Sequence, residues 1–171
     1  MKFDFSTISL YVDENETLIG IPCGESEKNG IADIDTVLLL KAPYSAKQVE
    51  DFIEKVFDAC FSKKHNDESE VSTIEKYTKK KGFVNATADL TLISLVKTKE
   101  AYSIMPTFND YEKGPLCIDD DERIVPLQYN EGELYEHIHD IIMVYMKANT
   151  FYKEQQIAEE NRKKKQGENL N

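Results

Sequence analysis

Two amphipathic helices, one in each half of the chain, constrain its fold most strongly. They are predicted over about 46–62 and about 131–146, and each carries apolar residues at the i, i+3, i+4, i+7 spacing of one helix face. The sequence shift that places Ser45 on Asn130, the residues in the N-cap positions, also superposes the two apolar faces. Because one shift matches both caps and core positions, we interpret the chain as an internal duplication.

Alternating apolar segments in front of each helix extend the repeat. They predict strands joined by hairpin-length turns, followed by a long polar loop and a short apolar run that is typical of a buried strand. In the first copy these strands are predicted at 6–12, 17–22 and 37–40, and in the second at 91–96, 101–106 and 124–127. The pattern predicts the α+β class: a mainly antiparallel sheet with helices packed on one face, built from two tandem β-β-β-α units.

The repeat also sets the predicted domain organisation. We predict a single domain over residues 1–150, with copy one at about 5–62 and copy two at about 90–146. Between the copies, Ser72 and Glu75 form a capping box that predicts an insert helix at about 73–81. Residues 151–171 are polar, and we expect a helical tail that frays at its end.

The charge of the chain favours one kind of partner. The formal net charge is −11, and the tail carries five basic and four acidic residues, which leaves −12 on residues 1–150. Such a field repels phosphate backbones and anionic lipid and attracts basic proteins. The sequence does not start like a leader peptide, and it has no apolar run long enough to span a membrane. We therefore expect a cytoplasmic protein that binds neither nucleic acid nor membrane. We expect it to be a monomer or a weak dimer.

Residue types that carry chemistry are sparse. The three cysteines are odd in number and lack CxxC spacing, so we expect reduced thiols, with Cys60 on an apolar helix face. His137 and His139 are two residues apart on a predicted helix and point away from each other, which disfavours a shared metal. Nucleotide-binding, hydrolase and zinc-protease motifs are missing from the sequence. We predict no catalytic residue, no metal and no cofactor.

Acidic turns are the candidate partner-binding residues. One group is Asp119, Asp120, Asp121 and Glu122, which lack the ligand spacing and central glycine of a calcium-binding EF-hand loop. The second group, in a predicted hairpin turn of the other copy, is Asp13, Glu14 and Glu16. Solubility alone accounts for any one acidic turn. Together with the charge of the body, the two groups predict a surface for a cationic protein.

The second copy resembles the immunity proteins of contact-dependent growth inhibition systems, which bind and block a toxin domain delivered by a neighbouring cell. The residues that carry the resemblance are Ser103-Ile104-Met105-Pro106-Thr107, Lys113-Gly114, Ile124-Val125-Pro126-Leu127 and Glu133-Leu134 with the helix to Tyr145. This resemblance implies an inhibitor that is not an enzyme, whose partner is a cognate toxin domain, often a basic nuclease. It assigns no contact residues.

Two alternatives to an immunity protein remain open. Acidic turns could imitate nucleic acid phosphates, as in a phage or mobile-element protein, which predicts carboxylates in a regular row on one face. An unrecognised small enzyme would need a concave pocket with perturbed titratable groups, which we would expect around His137.

Overall fold

The computed structural model describes residues 3–168. In it, segments with alternating apolar residues form strands, and these strands pair into an antiparallel sheet. The described residues form eight strands: β1 (Ser6–Val12), β2 (Leu18–Ser26), β3 (Gly30–Asp33), β4 (Leu38–Leu40), β5 (Thr91–Lys97), β6 (Ala101–Asp110), β7 (Gly114–Cys117) and β8 (Arg123–Pro126). The helices are α1 (Ala46–Asp58), α2 (Thr73–Thr78), α3 (Phe83–Thr87) and α4 (Glu133–Glu168), with a 3₁₀ turn at Asp119–Asp121. The predicted fold class, α+β with a mainly antiparallel sheet, is confirmed.

The sheet has a two-fold arrangement. Its order is β3-β2-β1-β5-β6-β7, with β4 also pairing β2 and β8 also pairing β6. At the centre, Ser9 of β1 pairs directly with Ser94 of β5, its counterpart in the predicted repeat. The hairpins at the two ends match as well, since the Gly30 turn of β2–β3 corresponds to the Gly114 turn of β6–β7. The internal duplication stays a prediction about the origin of this arrangement.

Two prolines mark the points where the long strands change partners. The outer edge of β2 pairs with β4 before Pro22 and with β3 after it, and β6 changes from β8 to β7 at Pro106. The carbonyl of Pro22 accepts from Ile34 N at 2.9 Å, and that of Pro106 from Ile118 N at 3.0 Å. These carbonyls, and hence the nitrogens without hydrogen, face the outer edge, so the central ladder loses no donor.

The main core lies between the sheet and helices α1 and α4. Helix α1 begins at the predicted capping box, in which Ser45 and Gln48 satisfy each other's backbone N–H groups. Its apolar face buries Ile53 against the sheet, and α4 buries Ile138 and Ile141 beside it. The two helices that the sequence predicted as equivalent therefore share one core.

A second, smaller core lies on the opposite face of the sheet. Helices α2 and α3 supply Ile74 and Ala86, which pack on Tyr11, Ile19 and Ile21. Helices thus lie on both faces, and the expectation of helices on one face was wrong. The insert helix ends at Thr78, because Lys79 takes a left-handed conformation with φ 58°, and a separate helix follows.

Two further segments differ from the sequence reading. The runs at 37–40 and 124–127 are edge strands with one side open to solvent, since Leu39 and Ile124 are 45% and 60% exposed. Helix α4 continues from the second copy through the predicted tail as far as Glu168. Residues 169–171 lie outside the described chain, so the fraying of the tail stays a prediction. Within residues 3–168, none of the helices combines the length and the apolar character that a membrane crossing requires.

Candidate partner-binding surface

The first predicted acidic group lies on the outer edge of β6, where the chain passes from β7 to β8. Ile118 N bonds to Pro106 O at 3.0 Å, and a 3₁₀ turn then brings Glu122 N to Asp119 O at 3.2 Å. The turn places Asp119 and Asp120 in solvent. Within the described chain, no hydrogen bond or ion pair involves their carboxylates, so both charges are free to meet a partner.

The other two carboxylates of this group hold the segment to the fold. Asp121 Oδ2 accepts from the Tyr145 hydroxyl of α4 at 2.9 Å and lies 3.6 Å from Arg123 Nη2. Burial, together with this bond to Asp121, raises the pKa of Tyr145. Glu122 accepts a hydrogen bond from the Ser103 hydroxyl of β6. These two residues therefore hold the segment to the fold, which Asp119 and Asp120 do not.

The second predicted group forms the β1–β2 turn. Asp13 Oδ1 accepts from Asn15 N at 2.9 Å and from Thr17 N at 2.8 Å, which closes the turn on itself. Glu16 adopts a left-handed conformation with φ 58°, and its carbonyl accepts from the Tyr44 hydroxyl at 2.9 Å. Asp13 is thus a turn-forming residue, while the side chains of Glu14 and Glu16 are exposed.

The structure does not bring the two groups together. The β1–β2 turn lies at the end of β1 and β2, whereas 119–122 lies along the edge of β6, with β5 and β6 between them. The seven carboxylates therefore occupy two places on the molecule and do not form one regular row. Their assignment to partner binding stays a prediction.

The two histidines that could serve a metal or an enzyme site make structural contacts instead. His139 stacks on Tyr135 with ring centroids 5.3 Å apart, and the carbonyl of His137 accepts from Arg123 at 3.3 Å. Among residues 3–168, no group of three or more His, Cys, Asp and Glu side chains is placed to hold a metal ion. The enzyme hypothesis gains no catalytic constellation from these positions.

Two thiols that are distant in sequence lie close in space. Thr7 N donates to Cys23 Sγ at 3.4 Å, and Cys60 Sγ donates to Thr7 O at 3.5 Å. The interaction between the two thiols lowers the pKa of Cys23 and, together with burial, raises that of Cys60. Cys117 is exposed as a residue, but partial burial of its sulfur, together with nearby Asp119, raises its pKa. All three are free thiols.

Asp33 is a carboxylate that the sequence reading did not single out. Its side chain accepts from the Ser9 hydroxyl at 3.1 and 3.2 Å, at the centre of the sheet. Burial raises the pKa of Asp33 to about 6, although the Ser9 bond and nearby His65 act in the opposite direction. No motif marks this residue, because its environment comes from strand pairing.

Asp33→Asn is expected to stabilise the protein above about pH 6 and to have little effect near pH 4. The folded protein holds the Asp33 proton up to a pKa of about 6, whereas the ordinary value is 3.8. Between these values the folded state binds more protons than the unfolded state, so the wild type loses stability as the pH rises. Urea unfolding across this range should show that the variant lacks this loss. If the free energy of unfolding changes with pH in the same way for both proteins, the raised pKa of Asp33 is contradicted.

Comparisons with known proteins identify the fold. No protein-family model matches the chain, and no curated protein matches its sequence. A protein of unknown function from Neisseria meningitidis has a similar structure, with a TM-score of 0.63, 12% identity, and coverage of 84% of this chain and 98% of that chain. A chain in a CdiA-CT/CdiI toxin and immunity complex from Yersinia pseudotuberculosis is also similar, with a TM-score of 0.54, 9% identity, and coverage of 80% and 95%. The chain shares the fold of these two structures.

Proposed function

We propose that this chain is a cytoplasmic immunity protein that binds the C-terminal toxin domain of a contact-dependent growth inhibition system and neutralises it by direct contact, without catalysis. The observation that carries the proposal is the fold shared with a chain of the toxin and immunity complex, which extends over 95% of that chain. The sequence resemblance of the second copy supports the same family.

Charge supports a basic toxin domain as the partner. The chain carries a net charge of −11, and the exposed carboxylates of Asp119 and Asp120 have no ion-pair partner among the described residues. A nuclease domain presents a cationic groove to its nucleic acid substrate, and acidic side chains placed against that groove attract it and exclude the substrate. Inhibition then requires only tight binding over the groove or beside it.

The direct test uses the gene immediately upstream. The C-terminal domain of its product is expressed in cells with and without this chain, and binding of the purified proteins is measured at low and high salt. We expect growth arrest without the chain, rescue with it, and an association rate that falls as salt increases. An upstream product that is neither toxic nor bound by this chain would contradict the proposal.

Removing the two exposed charges tests the role of the acidic segment. The double variant Asp119→Asn/Asp120→Asn is expected to associate severalfold more slowly at low salt, because surface charges act mainly on the association rate. The matched control, Glu68→Gln/Glu70→Gln, removes two exposed charges from the loop before α2. Equal rates for the two double variants would remove Asp119 and Asp120 from the binding surface.

A further inference from the structure

Part of the sheet face opposite α1 and α4 is open. Strand pairing places two rows of side chains side by side on this face, because directly paired residues point to the same side. We call these residues the open face: Thr7, Val96, Ser103 and Ile124 in one row, and Ser9, Ser94 and Met105 in the next. Ile124 is exposed, and the other six are half-buried.

The two cores show how far helices α2 and α3 extend over this face. Helices α2 and α3 bury Tyr11 and Ile19 on the same side of the sheet, further along the strands. Val96, Met105 and Ile124 pack against neither core, as far as residues 3–168 show. The apolar side chains of the open face therefore lie outside both cores.

The two-fold arrangement pairs one row of the open face with a row on the other half of the sheet. It relates the row Thr7, Val96, Ser103, Ile124 to the row Leu92, Tyr11, Ile19, Leu39 on the other half of the sheet. In that second row, Tyr11 and Ile19 are large and about 1% exposed, whereas Leu39 at the edge is 45% exposed. Their open counterparts, Val96 and Ser103, are smaller. This mixed composition is typical of a surface that is wet in the free protein and covered only when a partner binds.

Carboxylates border the open face. Glu122 accepts from Ser103, and Asp33 accepts from Ser9, so both are bonded to hydroxyls of this face. Glu122 also joins the open face to the exposed pair Asp119 and Asp120. Within the described chain, no Lys or Arg pairs with these four carboxylates. A surface that mixes apolar and hydroxyl side chains and is bordered by carboxylates without a cationic partner is complementary to a basic protein domain.

We propose that the open face, together with Asp119, Asp120 and Glu122, is the surface on which the basic toxin domain docks. This inference rests on the proposed immunity function and specifies where on the molecule it operates. Val96, Met105 and Ile124 contact apolar residues of the partner, and Asp119, Asp120 and Glu122 contact its Lys and Arg side chains. The β1–β2 turn, on the other half of the sheet, takes no part.

Ile124→Lys and Leu39→Lys form a matched pair for the test. Both positions lie on edge strands, both are exposed, at 60% and 45%, and neither packs against a core within the part of the chain described. The same charge and bulk are introduced at equivalent places on opposite edges of the sheet. Binding to the C-terminal domain of the upstream gene product is measured for each variant and for the wild type.

We expect Ile124→Lys to weaken binding by about tenfold or more, because a cation on the docking surface repels a basic partner. Leu39→Lys should stay within about twofold of the wild type, since its surroundings lie outside the interface. A second variant, Ser94→Arg, places a cation in the middle of the open face and should weaken binding as Ile124→Lys does. Thermal unfolding of each variant checks that the fold is intact.

The other outcomes separate this inference from the proposed function. If the wild type binds and Ile124→Lys binds equally well, the open face is not the docking surface and the immunity function stands. If the wild type does not bind, the proposed function fails and the inference fails with it. A concentration-dependent dimer of the wild type that Ile124→Lys abolishes would assign the face to a second copy of this chain and overturn the proposal.

Discussion

Glu50→Ala is expected to lower the free energy of unfolding by about 2–3 kcal/mol. Glu50 belongs to α1, yet its carboxylate accepts from Gly132 N at 2.9 Å and from Tyr135 N at 3.2 Å, at the start of α4. The residue is only 5% exposed, so truncation leaves these donors with little access to water. The negative charge is also favoured at a helix N-terminus. Urea unfolding measures the loss.

Asp51→Ala is the matched control for Glu50. Asp51 is the next residue of α1, but its carboxylate is exposed and, among the described residues, pairs only with Lys47. Exposed ion pairs of this kind contribute less than about 0.5 kcal/mol, so the control should unfold almost as the wild type does. Equal losses for Glu50→Ala and Asp51→Ala would show that the contact between α1 and α4 does not stabilise the fold.

Gly20→Ala is expected to cost about 2 kcal/mol, because helix α1 lies too close to β2 to admit a methyl group. An added Cβ at Gly20 would meet Val56 Cγ2 at 2.4 Å and Phe52 Cζ at 3.2 Å. Val56 is buried on the core face of α1, so relief requires the helix to move away from the sheet. Thermal unfolding should show a clear decrease in the midpoint.

A double-mutant cycle tests this cause. Val56→Ala removes the two methyl groups that Gly20→Ala would clash with, at a cost of its own of about 2 kcal/mol. The double variant should therefore lose at least about 1 kcal/mol less than the sum of the two single variants. Strict additivity would show that the cost at Gly20 arises elsewhere, for example in the strand backbone.

Side chains that pack or cap locally were predictable from the sequence. The face of α1 and the box at Ser45 depend on residues three or four apart, and such periodicity is visible in a single chain. The sequence predicts polar loops where the β2–β3 and β6–β7 hairpins lie, because Pro22 and Pro106 weaken the strand pattern. The prolines are accommodated since they face the outer edge, which only strand pairing reveals.

The candidate surface was only partly accessible to sequence reasoning. The exposed acids at Asp119 and Asp120 were visible as a charged turn. Nothing in the sequence distinguished them from Asp121, whose carboxylate bonds to Tyr145 on a helix 24 residues away. The open face was hidden for the same reason, because its rows combine residues from strands distant in sequence, such as Thr7 and Val96.

Helices α2 and α3 cover one half of this sheet face and leave the other half open, so the two halves differ in what they contribute. Tyr11 and Ile19 lie under α2 and α3, where a change of size disturbs a core. Their counterparts Val96 and Ser103 lie outside both cores, so within residues 3–168 a change of size there disturbs neither core. Under the proposed function, the covered half therefore serves the stability of the fold, while residues of the open half can change to match a partner without disturbing either core.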